Sequence, residues 1–523
     1  MGKRIIIGGD TSTANSGFAV YKRNLLKGLM DSGLFESVAE VGFGGDISQR
    51  DKVPWKYYPT NVPPTDPRFK EFNSNPFNEY GVWRWDKICL HYKPTHVVSS
   101  ADPWQFAHEQ TSPLRQYYHW MISPTVDSLP QRTDFLQIIA QADSVYTYTD
   151  WAKRYLREQN IPAIDSIGMG IDPNVMKPLD KVALRRKYNL PEDAIIFGFV
   201  ARNQMRKRFP DIIESFALYL KKAPEDVAKR SRLLLHTSFV DQGWNLIPIL
   251  LEHNVINKVL FTYHCRKTNG IFFSTFKGER CYSPLGKDVS AFSPNVIFSP
   301  SDVLLNEVYN VMDYYVQPCT CEGLGYPQIE AAASNIPIMA TDYSAMAELV
   351  REFSGTPVKP AALTVEHNID AKRATQDIEL WADVMLDHAL RKPVVNSRAV
   401  VLQKYTWQHI IDKWVQALDK SEMPKKNWTA NFRQYTFPEL KGEMSVTQFI
   451  HAMTSHIPEI SWNVFNLLNI KSLNCQYELK GKTMSAVTPQ SVMEKYKNIV
   501  EHFNWCERVR CGLENVPAED YLT

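Results

Sequence analysis

Short runs of β-branched and aromatic residues alternate with amphipathic segments along most of this chain, and that alternation leaves few folds open. RIIIGG (4–9), THVVSS (95–100) and DSVYTYT (143–149) each end in small polar residues, as buried parallel strands do. Helices are expected between them, at 16–30 and 151–159. The pattern then repeats over 186–400. There AIIFGFV, RLLLHTSF, KVLFTY, NVIFSP, YYVQP and IPIMAT read as strands separated by helices. Alternating β and α segments give an α/β protein with two doubly wound, Rossmann-like domains. The expected boundaries are 1–178 and 179–405, with an amphipathic helix at 406–420 (TWQHIIDKWVQALDK). The stretch 47–80, rich in Pro, Asn and aromatic residues, reads as a long loop or lid. Residues 421–523 form a mainly helical appendage of unassigned role, with helical stretches expected at 445–456 and 489–505; acceptor binding is slightly preferred over assembly.

Composition narrows the function. The 523 residues carry a formal charge of +2, so there is no global nucleic-acid signature. No apolar run approaches the ~18 residues that cross a bilayer. The opening MGKRIIIGGD reads as a first strand and its turn rather than a signal peptide. Eight scattered Cys suit a reducing compartment, so a cytoplasmic location is expected.

The segment CEGLGYPQIEAAASNIPIMATD places Glu322 and Glu330 eight apart, around a Gly-Leu-Gly turn and a proline that open an Ala-rich helix. Free amides at a helix N-terminus suit a phosphate or a sugar hydroxyl. An ionised carboxylate only accepts hydrogen bonds, which suits hydroxyl recognition. A helix cap with an acidic first turn would read the same way. A second segment, IIFGFVARNQMRKRFPDIIESFALYL, is a strand, a basic turn and a helix. Arg202 and Lys207 stand five apart in its turn, where open α/β sheets bind ligands. Together they would neutralise a diphosphate, although Arg206 and Arg208 are also present and a solvated basic turn is the plain alternative.

In this order the two segments resemble the retaining glycosyltransferases of family 4, which have the GT-B fold. The family carries an Arg and a Lys five apart, then two Glu separated by seven residues; Arg202, Lys207, Glu322 and Glu330 match. GMGIDPNVMKP (168–178), IPIMATDYSAMAELV (336–350) and SGFAVYKRNLLKGL (16–29) resemble the family's interdomain segment, later strand and loop, and N-terminal Gly loop. The resemblance covers roughly residues 1–420. It implies that Glu322, Gly323 and the amides of Leu324 and Gly325 hold the donor sugar, and that Glu330 holds the ribose. It also implies that 406–420 crosses back to the first domain. A nucleotide-sugar donor is expected as co-substrate, a UDP-sugar first, with no cofactor.

The chain has no Asp-x-Asp to hold a metal. Leaving-group stabilisation by Arg202 and Lys207 is therefore expected to be metal-independent. Gly17 would let the backbone of the first domain approach the diphosphate. Asp127, in SPTVDSLP, is the candidate that positions the acceptor, with Asp102 in SADPW behind it; an Asx turn is the plain reading of each. His119 reads as a core histidine.

Residues 264–295 are an insertion carrying Cys265 and Cys281. Thr268 and Pro284 stand where a zinc ribbon needs its partner cysteines, so a metal-free hairpin at the cleft edge is expected. Aromatic clusters (Trp55, Tyr57, Tyr58; Trp83, Trp85; Tyr117, Tyr118, Trp120) could stack on sugars or bases, or simply pack. The acceptor is open among glycan, protein and nucleic acid, hydroxymethylated DNA being one candidate. The rival class is a non-catalytic nucleotide-sugar or glycan-binding protein with the same cleft.

Overall fold

A computed structural model of the chain describes residues 2–436, except 240, 266, 279, 283–289, 295–298 and 368, together with 455, 457 and 489–517. The first domain is built on one parallel sheet. Its strands are Arg4–Asp10 (β1), Ser37–Phe43 (β2), Lys56–Pro59 (β3), His96–Ser99 (β4), His119–Ile122 (β5), Ser144–Thr147 (β6) and Asp165–Ser166 (β7). They lie in the order β3-β2-β1-β4-β5-β6-β7. The apolar runs are continuous rather than alternating because both faces are covered: Ile5, Ile6 and Ile7 are all fully buried.

The second domain holds Ile195–Val200 (β8), Ser231–His236 (β9), Val259–Cys265 (β10), Gly270–Ser274 (β11), Arg280–Tyr282 (β12), Ser290–Phe292 (β13), Tyr314–Gln317 (β14), Ile338–Thr341 (β15) and Thr356–Val358 (β16). Its parallel part runs β10-β9-β8-β14-β15-β16. A separate hairpin joins Ala362–Glu366 (β17) to Ala371–Thr375 (β18). In each sheet the strand order reverses beside the first strand, between β1 and β4 and between β8 and β14. That reversal opens a crevice at the carboxyl ends, where such sheets bind ligands.

Two crossings join the domains and lie side by side. The Ile171 amide donates to Tyr405 O (2.8 Å), and the Trp407 amide returns a bond to Ile171 O (3.1 Å). The helix Trp407–Lys420 then packs against the first domain's helix Gly17–Asp31. Trp414 Nε1 donates to the Tyr21 hydroxyl at 2.5 Å, and a side chain at Gly28 would overlap Ile411.

The structure corrects two expectations. Residues 47–80 are not one loop: Lys56–Pro59 is the edge strand β3, its Tyr57 and Tyr58 buried. The insertion does not start at 264, because His264 and Cys265 still belong to β10. Cys265 and Cys281 both lie opposite Ala291, two strand spacings apart. At about 4.8 Å per spacing they can share neither a metal nor a disulfide. The expected strand 295–300 falls mostly outside the described residues, as does the expected helix 445–456. Of the two readings of the aromatic clusters, packing holds for most: Trp55, Tyr57, Tyr58, Trp85, Tyr117, Tyr118 and Trp120 are buried, while Trp83 is half-buried and donates to Thr60 O (3.0 Å). The described part of the appendage holds the expected helix, as Pro489–Arg510, after an irregular stretch over 421–436. Its contacts reach the amino ends of the first sheet: Trp428 Nε1 donates to Pro94 O (2.7 Å) and Tyr117 donates to Glu507 (2.6 Å). These described residues therefore buttress the edge opposite the crevice.

Candidate donor and acceptor cleft

The turn after β8 and the turn after β14 meet because their strands are neighbours, Tyr315 lying opposite Gly198. The Thr320 amide donates to Arg206 O (2.8 Å) and fastens one turn to the other. Met205–Lys207 is a single tight turn, closed by Arg208 in the left-handed conformation (φ 52°), after which the helix Phe209–Lys222 begins. This geometry sends Lys207 inward. Its ammonium donates to Glu322 Oε1, while Arg206 Nη1 lies 2.8 Å from Oε2. Burial alone would push the Glu322 carboxyl up; the Arg206 and Lys207 charges outweigh it and hold it at about 2. Glu322 is therefore an acceptor-only group at any ordinary pH.

Arg202 does not join this cluster. Its guanidinium grips Asp241 with two bonds, at 2.8 and 3.1 Å. The orientation is set by Asn203, which is fully buried and bridges to the loop after β9: its Nδ2 donates to Trp244 O (2.7 Å) and its Oδ1 accepts from Trp244 N (2.9 Å).

Gly325 has φ 86° and caps the helix Tyr326–Ala333, with Pro327 in the first turn. Among the described residues the amides of Gly323, Leu324 and Gly325 donate no hydrogen bond, so they remain open to an acceptor atom. At Gly323 a Cβ would lie 2.7 Å from Thr125 Cγ2, so the two domains approach too closely here for a side chain. One helical turn on, Glu330 is buried and accepts from the Tyr309 hydroxyl (2.7 Å). Burial raises its carboxyl to about 8. Gly17 opens the helix Gly17–Asp31 in the facing domain; a Cβ there would meet nothing within 4 Å, so the space above it is open.

Asp127 is not free. It accepts from Arg373 Nη1 (2.9 Å) of β18 and lies 3.3 Å from Cys321 Sγ, so it ties the two domains together. Asp102 follows β4 and is pushed up to about 6 by burial and then by the Asp127 charge. His119 sits at the start of β5 and shares a hydrogen bond with Ser144 (2.8 Å), within the sheet interior. Sequence reasoning missed Arg206 as the second cation on Glu322, and also Asp241, Tyr309 and Arg373. Arg206 was visible in the basic turn; the others are distant in sequence and carry no local signal. The described side chains also bring Asp86, His502 and Cys506 within 4.8 Å of one another, none of them part of this cleft cluster. Among the described residues no helix is long and apolar enough to cross a membrane.

Set against known proteins, the chain has parallels in fold. The sucrose-phosphate synthase of Thermosynechococcus elongatus aligns over 80% of this chain and 98% of its own, with a TM-score of 0.58 and 18% identity. Anabaena Alr3699/HepE, solved in complex with UDP and glucose, aligns over 80% and 100% with a TM-score of 0.56 and 13% identity. The chain has the GT-B fold. In sequence it is 23% identical over 291 residues to the D-inositol 3-phosphate glycosyltransferase of Saccharomonospora viridis, 53% of this chain and 55% of that one. The alignments span between 23% and 55% of the curated relatives' length. No family model matches the chain.

Proposed function

We propose that this protein is a retaining glycosyltransferase. It moves a hexosyl or pentosyl group from a nucleotide sugar, a UDP-sugar first, to an acceptor hydroxyl, without a metal or a cofactor. The observation that carries the reading is the Lys207–Glu322–Arg206 cluster, its lysine and carboxylate buried, at the reversal point between β8 and β14. The name of the curated relatives supports glycosyl transfer, and the UDP complex of a fold neighbour supports the donor class.

The chemistry follows from what each group can still do. Lys207 carries three donors and Arg206 five, so bonding to Glu322 leaves several for a diphosphate. They, with the open amides before Gly325, form fixed charge aimed at the departing phosphate. Glu322 accepts from donor-sugar hydroxyls, and Glu330 with Tyr309 receives the ribose. The acceptor oxygen attacks the anomeric carbon from the face the phosphate leaves, so that configuration is kept. The C–O bond to the acceptor forms as the C–O bond to phosphate breaks, and the acceptor proton passes to the phosphate oxygen. No carboxylate nucleophile enters. Asp127 holds the cleft closed through Arg373, and Asp102 is the carboxylate left to orient the acceptor.

The test is transfer or donor hydrolysis in EDTA with UDP-sugars, read by NMR for the anomeric configuration of the product. Wild type is expected to give retained product, and Lys207→Ala to give none. Full activity in Lys207→Ala would overturn the assignment; UDP binding without turnover on a broad acceptor panel would establish the non-catalytic reading instead.

A further inference from the structure

The appendage helix Pro489–Arg510 packs on the helix Trp85–Tyr92 of the first domain. Both join the core on the Ile6 face of the first sheet, whereas the closing helix Trp407–Lys420 joins the core on the Ile5 and Ile7 face. On the appendage helix, His502 and Cys506 stand four residues apart and so share one face. On the other helix, Asp86 and Cys89 stand three apart and share a face in the same way. These faces meet. His502 Nε2 lies 2.7 Å from Asp86 Oδ2 and 3.9 Å from Cys506 Sγ, and the three groups each bring one donor atom within 4.8 Å of the others. An imidazole, a carboxylate and a thiol thus converge from segments 416 residues apart in the chain.

The surroundings hold all three in place. The Ser112 hydroxyl donates to the other carboxylate oxygen of Asp86, as outer groups do around metal ligands. The His502 ring stacks on Trp505 (5.5 Å between centroids, 18°). Cys506 is buried, while His502 is half-exposed, so one side of the cluster opens to solvent. Burial pushes the Cys506 thiol up, and Asp86, Cys89 and Glu507 add to it. Of these, Glu507 is already engaged by Arg510 (2.7 Å) and Tyr117 (2.6 Å). A hydrogen bond between His502 and Asp86 has no need of a buried thiol turned toward it; a cation does.

We infer that Asp86, His502 and Cys506 form a zinc site that clasps the appendage to the first domain, with the fourth position facing solvent beside His502. Nitrogen, oxygen and sulfur donors in one set suit Zn²⁺, which takes four ligands tetrahedrally. Around such an ion, a nitrogen and an oxygen ligand stand roughly 3.4 Å apart, and a nitrogen and a sulfur roughly 3.6 Å. The observed 2.7 and 3.9 Å differ from these by less than about 1 Å, which side-chain rotation supplies. Metal affinity then becomes docking energy, because the site exists only while the two helices are together. Without the ion, the His502–Asp86 bond alone joins these groups. The site shares no residue with the donor cleft; it stands apart from the transferase reading and has no part in the proposed transfer.

The test uses the full chain, stripped with EDTA, dialysed into metal-free buffer and titrated with Zn²⁺ or Co²⁺. One equivalent of each is expected to bind. Bound Co²⁺ should show a sulfur-to-metal charge-transfer band and the visible bands of a tetrahedral site, both lost when Zn²⁺ displaces it. His502→Ala and Cys506→Ser should each weaken zinc binding at least a hundredfold, and Cys506→Ser should lose the sulfur band; Cys281→Ser should keep both properties. Zinc should slow hydrogen exchange across 489–510 in wild type and in neither site variant. Near-ultraviolet circular dichroism shows whether each variant is folded. No stoichiometric binding by wild type, or a cobalt spectrum without the sulfur band (an adventitious ion only), would overturn the inference. So would unchanged zinc affinity in either folded variant, or zinc binding that leaves exchange of the helix unaltered. Any effect of UDP on the melting temperature should be the same with and without zinc.

Discussion

Replacing Lys207 by Met removes one of the two cations that keep Glu322 charged in the interior, and the consequences can be worked out. Glu322 and Lys207 each leave only 9% of their side chains exposed, and Arg206 leaves 39%. Removing one partner of a buried ion pair costs about 3–5 kcal/mol when the survivor is stranded. In Lys207→Met, Glu322 keeps Arg206 at 2.8 Å, so the loss should be nearer the value of one charged hydrogen bond, about 1.5–3 kcal/mol. Lys207→Met/Arg206→Met strands the carboxylate and should lose clearly more than either single change. The pH dependence then reverses sign. In wild type the Glu322 carboxyl is depressed from 4.5 to about 2. It therefore contributes stability that is present above about pH 4.5 and is lost as pH falls through 2. That contribution is on the order of 3 kcal/mol. In the double variant, burial without cations raises the carboxyl above its ordinary value, so stability should increase as the pH is lowered from 7 to 5. Adding Glu322→Gln should relieve most of the loss. Denaturant unfolding of the variants at pH 5 and 7, and of wild type at pH 3 and 5, measures these effects. A double variant no less stable than the singles, or no relief from Gln, would refute the buried-charge argument.

Three further outcomes follow from other parts of the molecule. Glu330, raised to about 8 by burial, holds its proton in the folded protein at pH 7, so its contribution to stability declines as pH rises from about 4.5 to 8. Ribose hydroxyls favour the carboxylate, so UDP binding at pH 7 should release a proton, seen by calorimetry in buffers of different ionisation enthalpy and absent in Glu330→Gln. Gly323→Ala sets a Cβ 2.7 Å from Thr125 Cγ2 and should cut transfer at least tenfold with little change in unfolding. Thr125→Ser, which removes that methyl, should restore it. His502 is half-exposed and bonds Asp86 (2.7 Å). Burial opposes its charge, but the Asp86 bond and charge outweigh that and raise its pKa. Its contribution to docking the helix Pro489–Arg510 is full below pH 6.5 and is lost as pH rises through the raised pKa, so hydrogen exchange of that helix should quicken there, and Asp86→Asn should abolish the dependence.

The parts of the fold that were legible are those where burial on both faces writes itself into composition. RIIIGG and AIIFGFV are unbroken apolar runs because their strands have helices above and below. The edge strand β3 escaped because KYYP is short, aromatic and closed by proline, which reads as loop. The carboxylates Glu322 and Glu330 were legible because one turn and one helix bring them together. Arg202 and Lys207 were paired on their five-residue spacing alone, which says nothing of direction, and it is the tight turn closed by left-handed Arg208 that aims Arg206 and Lys207 at Glu322. Arg202 turns to Asp241, 39 residues away, and Asp127 to Arg373, 246 away. Such pairs are products of sheet order, which no local pattern encodes.

The most direct test of the central claim is the melting temperature of the protein in EDTA with UDP, GDP and ADP, for wild type and Lys207→Ala. A ligand that binds only the native state must raise it. The account predicts that UDP raises the wild-type melting temperature without any divalent ion and leaves Lys207→Ala unmoved. No shift with any nucleotide, a shift that needs added metal, or an equal shift in Lys207→Ala would contradict it.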